Sequence, residues 1–257
     1  MPTASLGRSR GTLLRGGREA AVTTEIRLLD DATEMRRMAK LFGQVWGGPT
    51  PVVNVELARA VAHAGGYVAA VYVDGQVVGG SLGFLARHRG EDALHSHLTG
   101  VLPGIRGTGL GRQLKRHQRE WAAARGLRWV TWTFDPLVRH NAHFNLTVLG
   151  AEVHEYLVDF YGEMEDAINA RDESDRLLVA WSTTDDPETA ADGTADAGAT
   201  AVPTPVDIVA LRRTDRGAAE QWRHRLRREL GGRMAEGWHV TAFSDDGAYV
   251  VVPGPSR

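Results

Sequence analysis

Cysteine is absent from the 257 residues. That excludes disulfides, thiolate nucleophiles and cysteine-ligated zinc, and removes any sign of an oxidising compartment. Net charge is nearly absent too: 30 basic against 32 acidic side chains leave a formal charge of -2. No global field would draw such a chain onto nucleic acid or an anionic membrane, so a small neutral or anionic ligand suits it better. Nor is there an apolar run long enough for a membrane span or a secretory signal. Residues 1–22, with Arg8, Arg10 and Arg15 among glycines, read as a loose tail of a cytoplasmic protein. What is present is 42% hydrophobic residues, enough for a full-sized core.

Periodicity sets the order of elements. Ile26–Leu29 reads as a strand, and Asp30-Asp31 opens a helix whose apolar positions Met35, Met38, Leu41, Phe42 and Val45 recur at helical spacing. After Gly47, Gly48 and Pro49, a second amphipathic stretch covers 54–64. Two strands, 67–73 and 76–85, flank Asp74-Gly75, a strong two-residue hairpin signal. Residues 94–101 alternate as a strand with two unlike faces, and a glycine-rich loop then enters a helix that stops at Arg125-Gly126. A strand over 128–134 is broken by Asp135-Pro136, a helix is expected over 141–149, and strands over 153–161 and 177–181. Residues 183–203, rich in Ala, Thr, Gly and unopposed acids, read as a solvated linker. Residues 204–257 read as a small appendage of an Arg-rich helix and two short strands. The main domain thus spans 23–182.

The chemistry concentrates in Val101-Leu102-Pro103-Gly104-Ile105-Arg106-Gly107-Thr108-Gly109-Leu110-Gly111-Arg112. A strand end passes through glycines into a helix start, where free amides and the helix dipole favour an anion. Spacing discriminates among phosphate binders. A Walker loop ends Gly-Lys-Ser/Thr and a dinucleotide fingerprint reads Gly-x-Gly-x-x-Gly, whereas this loop reads Gly-x-Gly-x-Gly and ends in Arg112-Gln113.

Arg106-x-x-Gly109-x-Gly111, after a strand ending Val-x-Pro, resembles the coenzyme A loop of the GNAT acyltransferase superfamily, and the element order from about residue 25 to 182 is similar to that family's. The resemblance implies an α/β (α+β) fold with a mixed, twisted sheet flanked by helices and splayed between strands 94–101 and 128–134. It implies acyl-CoA in that gap, its pyrophosphate on Ile105, Arg106, Gly107, Thr108, Gly109, Leu110, Gly111 and Arg112, and its pantetheine beside Leu98, Thr99 and Val101. Trp132-Thr133-Phe134-Asp135-Pro136, Asn141-Ala142-His143-Phe144-Asn145 and Phe160-Tyr161-Gly162-Glu163-Met164 resemble a narrower bacterial subgroup. That likeness adds Asn141 and Asn145 as coenzyme contacts and amino acids as acceptors, with acetyl- or succinyl-CoA as donor and no metal. The implied partner is a small-molecule amine, with no nucleic acid or membrane; a homodimer is compatible with the sequence.

An amine attacks a thioester only as the free base. At pH 7 that state costs an α-amino group up to roughly 1.4 kcal/mol and a lysine-like amine roughly 4.6 kcal/mol. A positioned base helps, and His95 and His97 project beside the expected thioester with a suitable pKa. Their offsets from Arg106 match the paired histidines of arylalkylamine N-acetyltransferases, and His97 is the first choice; the alternative is a pair of hydrogen-bonded interior residues. Read as metal ligands of a hydrolase they would need a third ligand, and no acid-rich motif supplies one. The proton for the departing thiolate comes from Tyr161 or Tyr156, or from no protein group, because the position of the family's usual tyrosine holds Leu146. Trp132 and Asp135 fall on the substrate side, where Asp135 either holds an ammonium or caps the next turn. An acyl-CoA sensor without catalysis is the runner-up. The arginines of 212–228 are interleaved with acids and read as carboxylate partners or solvated groups rather than a nucleic-acid stripe.

Overall fold

The computed structural model describes residues 23–47, 51–162, 172–184 and 198–254. The expected tail (1–22), Gly48 and Pro49, Glu163 and Met164, and residues 185–197 of the expected linker lie outside the described residues. The chain divides into two compact units, through Leu127 and from Arg128.

In the first unit, β1 (Thr24–Leu28), β2 (Tyr67–Val73), β3 (Gln76–His88) and β4 (Glu91–Val101) form an antiparallel run in that order. Asp74-Gly75 makes the two-residue turn between β2 and β3, with φ of 48° and 77°, the left-handed pair such a turn demands. Helix α1 (Ala32–Trp46) starts where the Asp31 carboxylate accepts the Thr33 and Glu34 amides at 2.8 and 3.1 Å. Its buried Met35, Met38, Leu41 and Phe42, with Ala58 of α2 (Val55–His63), cover Val68, Ala70 and Tyr72 of β2 and Leu82 of β3. The opposite face of β2 carries Val71 against Leu110 and Leu114 of α3 (Leu110–Ala123). Helices on both faces explain why β2 reads as an unbroken apolar run rather than an alternating one.

The β3–β4 register slips by one between Leu82, paired with Leu98, and Gly83, paired with Ser96. His97 is therefore an extra residue bulged out of β4.

The second unit holds β5 (Trp129–Phe134), β6 (Glu152–Leu157) and β7 (Arg176–Ser182), antiparallel in the order β5-β7-β6. Between β5 and β6 the chain makes α4 (Arg139–Ala142) and then a π-helical turn over His143–Val148. The helix expected for 141–149 is thus present but widened, with the Leu149 amide donating five residues back to the Phe144 carbonyl. The strand expected over 153–161 ends at Leu157 and turns away.

The C-terminal part is larger than the expected αββ appendage. Residues 200–203, read as linker, form β8 (Thr200–Pro203), which pairs with β10 (Ala248–Val252), itself paired with β9 (His239–Phe243). Its short Thr-Ala-Val-Pro run was masked by the low-complexity sequence around it. Helices α5 (Ile208–Thr214) and α6 (Arg216–Leu226) are capped by Asp207 and Asp215. These elements lie in the same unit as β5–β7. The Tyr249 hydroxyl donates to the Pro136 carbonyl at 2.8 Å, joining β10 to the turn after β5. Among the described residues no helix is long and apolar enough to cross a membrane.

Candidate functional site

The glycine loop leaves β4 through a single 3-10 turn, Pro103–Ile105. Gly107 and Gly109 have φ of 80° and 85°, conformations that side chains with a Cβ rarely adopt. Gly109 is the N-cap of α3, no side chain caps that helix and no acid stands in its first turn. By contrast α1, α2, α5 and α6 are each capped by an Asp or Asn side chain. Helix geometry leaves the amides of Leu110, Gly111 and Arg112 without intrahelical acceptors. The amides of Ile105, Arg106 and Thr108 are used inside the loop, donating to the carbonyls of Leu102, Pro103 and Ile105. The cradle expected over residues 105–112 therefore narrows to its C-terminal half. A Cβ built on Gly107 or Gly109 meets nothing within 4 Å, so the space above them is open.

On β4, the rings of His95 and His97 lie with their centroids 6.4 Å apart, and Phe84 stands 5.2 Å from His95 and 5.8 Å from His97. Burial first, then the charges of His97 and Lys115, bring the His95 imidazole down to about 4. Partial burial lowers His97 as well. Both rings are thus neutral at pH 7, the form a base needs. Leu98, Thr99 and Val101 pair with Leu82, Ser81 and Gly79, and the Leu98 carbonyl accepts the Ser81 hydroxyl at 2.8 Å.

In the second unit the sequence-predicted residues fall into separate settings. Trp132 and Asn145 are brought together: both are buried, and the indole donates to Asn145 Oδ1 at 3.1 Å. Asn141, at half-burial, lies in α4. The Tyr161 hydroxyl lies 3.1 Å from Thr133 Oγ1. Tyr156 donates to Asp175 at 2.7 Å, and burial followed by that carboxylate raises its pKa far above the usual phenol range, which makes it a poor acid.

Asp135 is not presented to an ammonium. It is 7% exposed, caps the following turn by accepting the Leu137 amide at 3.0 Å, and accepts Arg212 Nη2 at 2.6 Å and Arg223 at 3.0 and 3.1 Å. Asp172 bridges the same two arginines at 2.9 and 3.0 Å. The carboxylate partners foreseen for the arginines are thus the protein's own. Burial would raise the Asp135 carboxyl, but Arg223 and Arg212 outweigh it and hold it well below the usual range.

Sequence reasoning missed a buried lysine. Lys115, 4% exposed, donates to Ser96 Oγ at 2.9 Å. Its signal was position: it shares the buried face of α3 with Gln118 and Ala122, three and seven residues on.

Comparison with known proteins gives this geometry a setting. The chain resembles the ribosomal-protein-S18-alanine N-acetyltransferase of Escherichia coli, at TM-score 0.52 and 12% identity over 64% of this chain and 96% of that one. It also resembles a putative acetyltransferase of Salmonella typhimurium solved with its cofactor acetyl-CoA, at TM-score 0.50 and 16% identity over 67% and 99%. A third likeness is to the ribosomal-protein-S5-alanine acetyltransferase of Vibrio fischeri, at TM-score 0.50 and 16% identity over 63% and 94%. At such identities the likeness shows the fold alone. No curated protein matches the chain. Residues 7–143, just over half of the sequence, match the family model described as an acetyltransferase (GNAT) domain. The chain belongs to the GNAT acetyltransferase family.

Proposed function

We propose that the chain moves an acyl group, acetyl or succinyl, from coenzyme A to the primary amine of a small molecule, with amino acids as first candidates. The observation that carries this reading is the uncapped start of α3, reached through two left-handed glycines directly after the strand that carries His95 and His97. The pyrophosphate would rest on the amides of Leu110, Gly111 and Arg112, with the exposed Arg106 and Arg112 side chains adding charge. The Salmonella neighbour solved with acetyl-CoA supports that choice of donor. Asn141 and Asn145 remain proposed contacts on family likeness alone, and Asn145 already serves Trp132.

His97, neutral and the more accessible of the two rings, would take the proton from the attacking amine, directly or through water. The amine nitrogen forms a bond to the thioester carbon, and collapse of the tetrahedral adduct expels the coenzyme A thiolate. Tyr161 is the proposed proton donor to that thiolate. Asp135 has no part in it, because its oxygens are engaged. Much of the acceleration would come from alignment of two bound reactants.

The test is thiol release from acetyl- and succinyl-CoA across a panel of amino acids and simple amines, paired with calorimetry of each thioester. Turnover on an amine supports transfer. Binding without turnover on any amine would make the chain an acyl-CoA sensor.

His97→Ala is expected to lower kcat by about 100-fold, within the range for loss of a positioned base, with coenzyme A affinity unchanged. Beneath the limb set by the amine's own ionisation, the wild-type rate should show a second acid limb that lies below the ordinary histidine value of about 6.5, because the folded His97 pKa is depressed. The variant should lose that acid limb. Equal rates for variant and wild type would assign His97 to structure.

A further inference from the structure

We propose that Lys115 is a positioning residue for acyl transfer: from α3 it holds, through Ser96, the stretch of β4 that presents His97. The proposal rests on the acyl-transfer reading of the same site.

A bulge interrupts the hydrogen-bond ladder where it occurs, so the residues around His97 have less support from β3 than the rest of β4. A chain of side chains on α3 and β3 supplies it. Lys115 Nζ donates to Ser96 Oγ at 2.9 Å, and Ser96 Oγ lies 3.2 Å from Thr99 Oγ1. Thr99 Oγ1 is 2.8 Å from Ser81 Oγ, which receives Gln118 Nε2 at 2.6 Å and donates to the Leu98 carbonyl at 2.8 Å. The anchored residues Ser96, Leu98 and Thr99 bracket His97 on both sides.

Stability alone does not account for this arrangement. Burial pushes the Lys115 ammonium well below its usual range, a sign that the site is a poor solvent for it. Gln118 Oε1 is buried without a partner among the described residues. Well-packed apolar side chains would stabilise such a position at least as well. What the polar set provides instead is direction: hydrogen bonds fix the orientation of β4, which dispersion contacts would leave looser. Lys115 also lies on the helix whose first turn is the proposed pyrophosphate cradle. One rigid element thereby sets the base and the coenzyme loop relative to each other, both within the first unit.

Lys115→Met keeps the length of the stem and removes the amine. The experiment measures amide hydrogen exchange of the full chain together with steady-state kinetics. We expect the amides of residues 96–99 to exchange about tenfold faster, with those of β1 and β2 unchanged. We expect kcat to fall by about tenfold while KM for acyl-CoA stays within about twofold. Ser96→Ala should reproduce both effects, and the double variant should be no worse than either single one, because the two act through one contact. Should Lys115→Met fail to fold, Ser96→Ala reads the same link alone. Unchanged exchange at 96–99 in a folded variant overturns the proposal, as does faster exchange with unaltered kcat. A wild-type chain that binds no acyl-CoA and acylates nothing overturns the acyl-transfer reading instead. The exchange arm then still upholds or overturns the Lys115–Ser96 link.

Discussion

Gly109→Glu is expected to weaken coenzyme A binding by roughly 100-fold or more, about 2.8 kcal/mol, in a chain that still folds. The new carboxylate would enter the open space above the α3 start, where the pyrophosphate is proposed to sit. Two like charges about 4 Å apart repel by about 1 kcal/mol in water and about 4 kcal/mol at the effective dielectric of a protein surface. A diphosphate presents more than one charge, so the expected loss lies within that range even with partial screening. The φ of 85° adds strain of roughly 1–2 kcal/mol for any residue with a Cβ. Gly109→Ala bears the same strain without the charge and separates the two effects: it should lose some stability and keep most of its affinity. Calorimetry with acetyl-CoA on both variants decides. Equal affinity in Gly109→Glu and wild type would remove the loop from the binding site.

The second large effect concerns the second unit alone. Arg223→Met should destabilise it by about 3–5 kcal/mol, because removal of one partner leaves the buried Asp135 and the partly buried Asp172 with Arg212 as their remaining hydrogen-bonded guanidinium among the described residues. The sign with pH follows from Asp135, whose folded pKa is depressed. Its contribution is complete above the unfolded aspartate value of about 3.9 and is lost as pH falls through the folded value. Wild-type stability from this group should therefore be flat from pH 5 to 8 and decline in acid. In Arg223→Met the loss should appear at neutral pH, and the difference between the two proteins should shrink towards pH 2. Urea unfolding at pH 7 and pH 3 measures it; a neutral-pH difference below about 1 kcal/mol would mean that the pairs are merely tolerated.

Local signals were the legible ones. The Asp31 cap, the Asp74-Gly75 turn and the Gly107–Gly111 loop depend on a few adjacent residues, and each is found where the sequence put it. The order of strands and helices through Ser182 was likewise readable from periodicity. What escaped depends on residues far apart. Asp135 meets its arginines across 77 and 88 positions, and no spacing rule connects them. Alternation placed His95 and His97 on one face of a regular strand; they do lie together, but through a one-residue slip that no local composition announces. Lys115 was hidden by its type, since lysine on an amphipathic helix ordinarily marks the wet side.

The salt-linked acids also constrain how this molecule can have changed over time. A lineage that dropped residues 204–254, or exchanged them for another segment, would deprive Asp135 and Asp172 of the two guanidinium groups, Arg212 and Arg223, from which they accept hydrogen bonds. Loss of the segment should therefore travel with loss of the two acids. Among kindred chains, an Asp at the end of this strand should forecast a C-terminal extension that bears two arginines eleven residues apart.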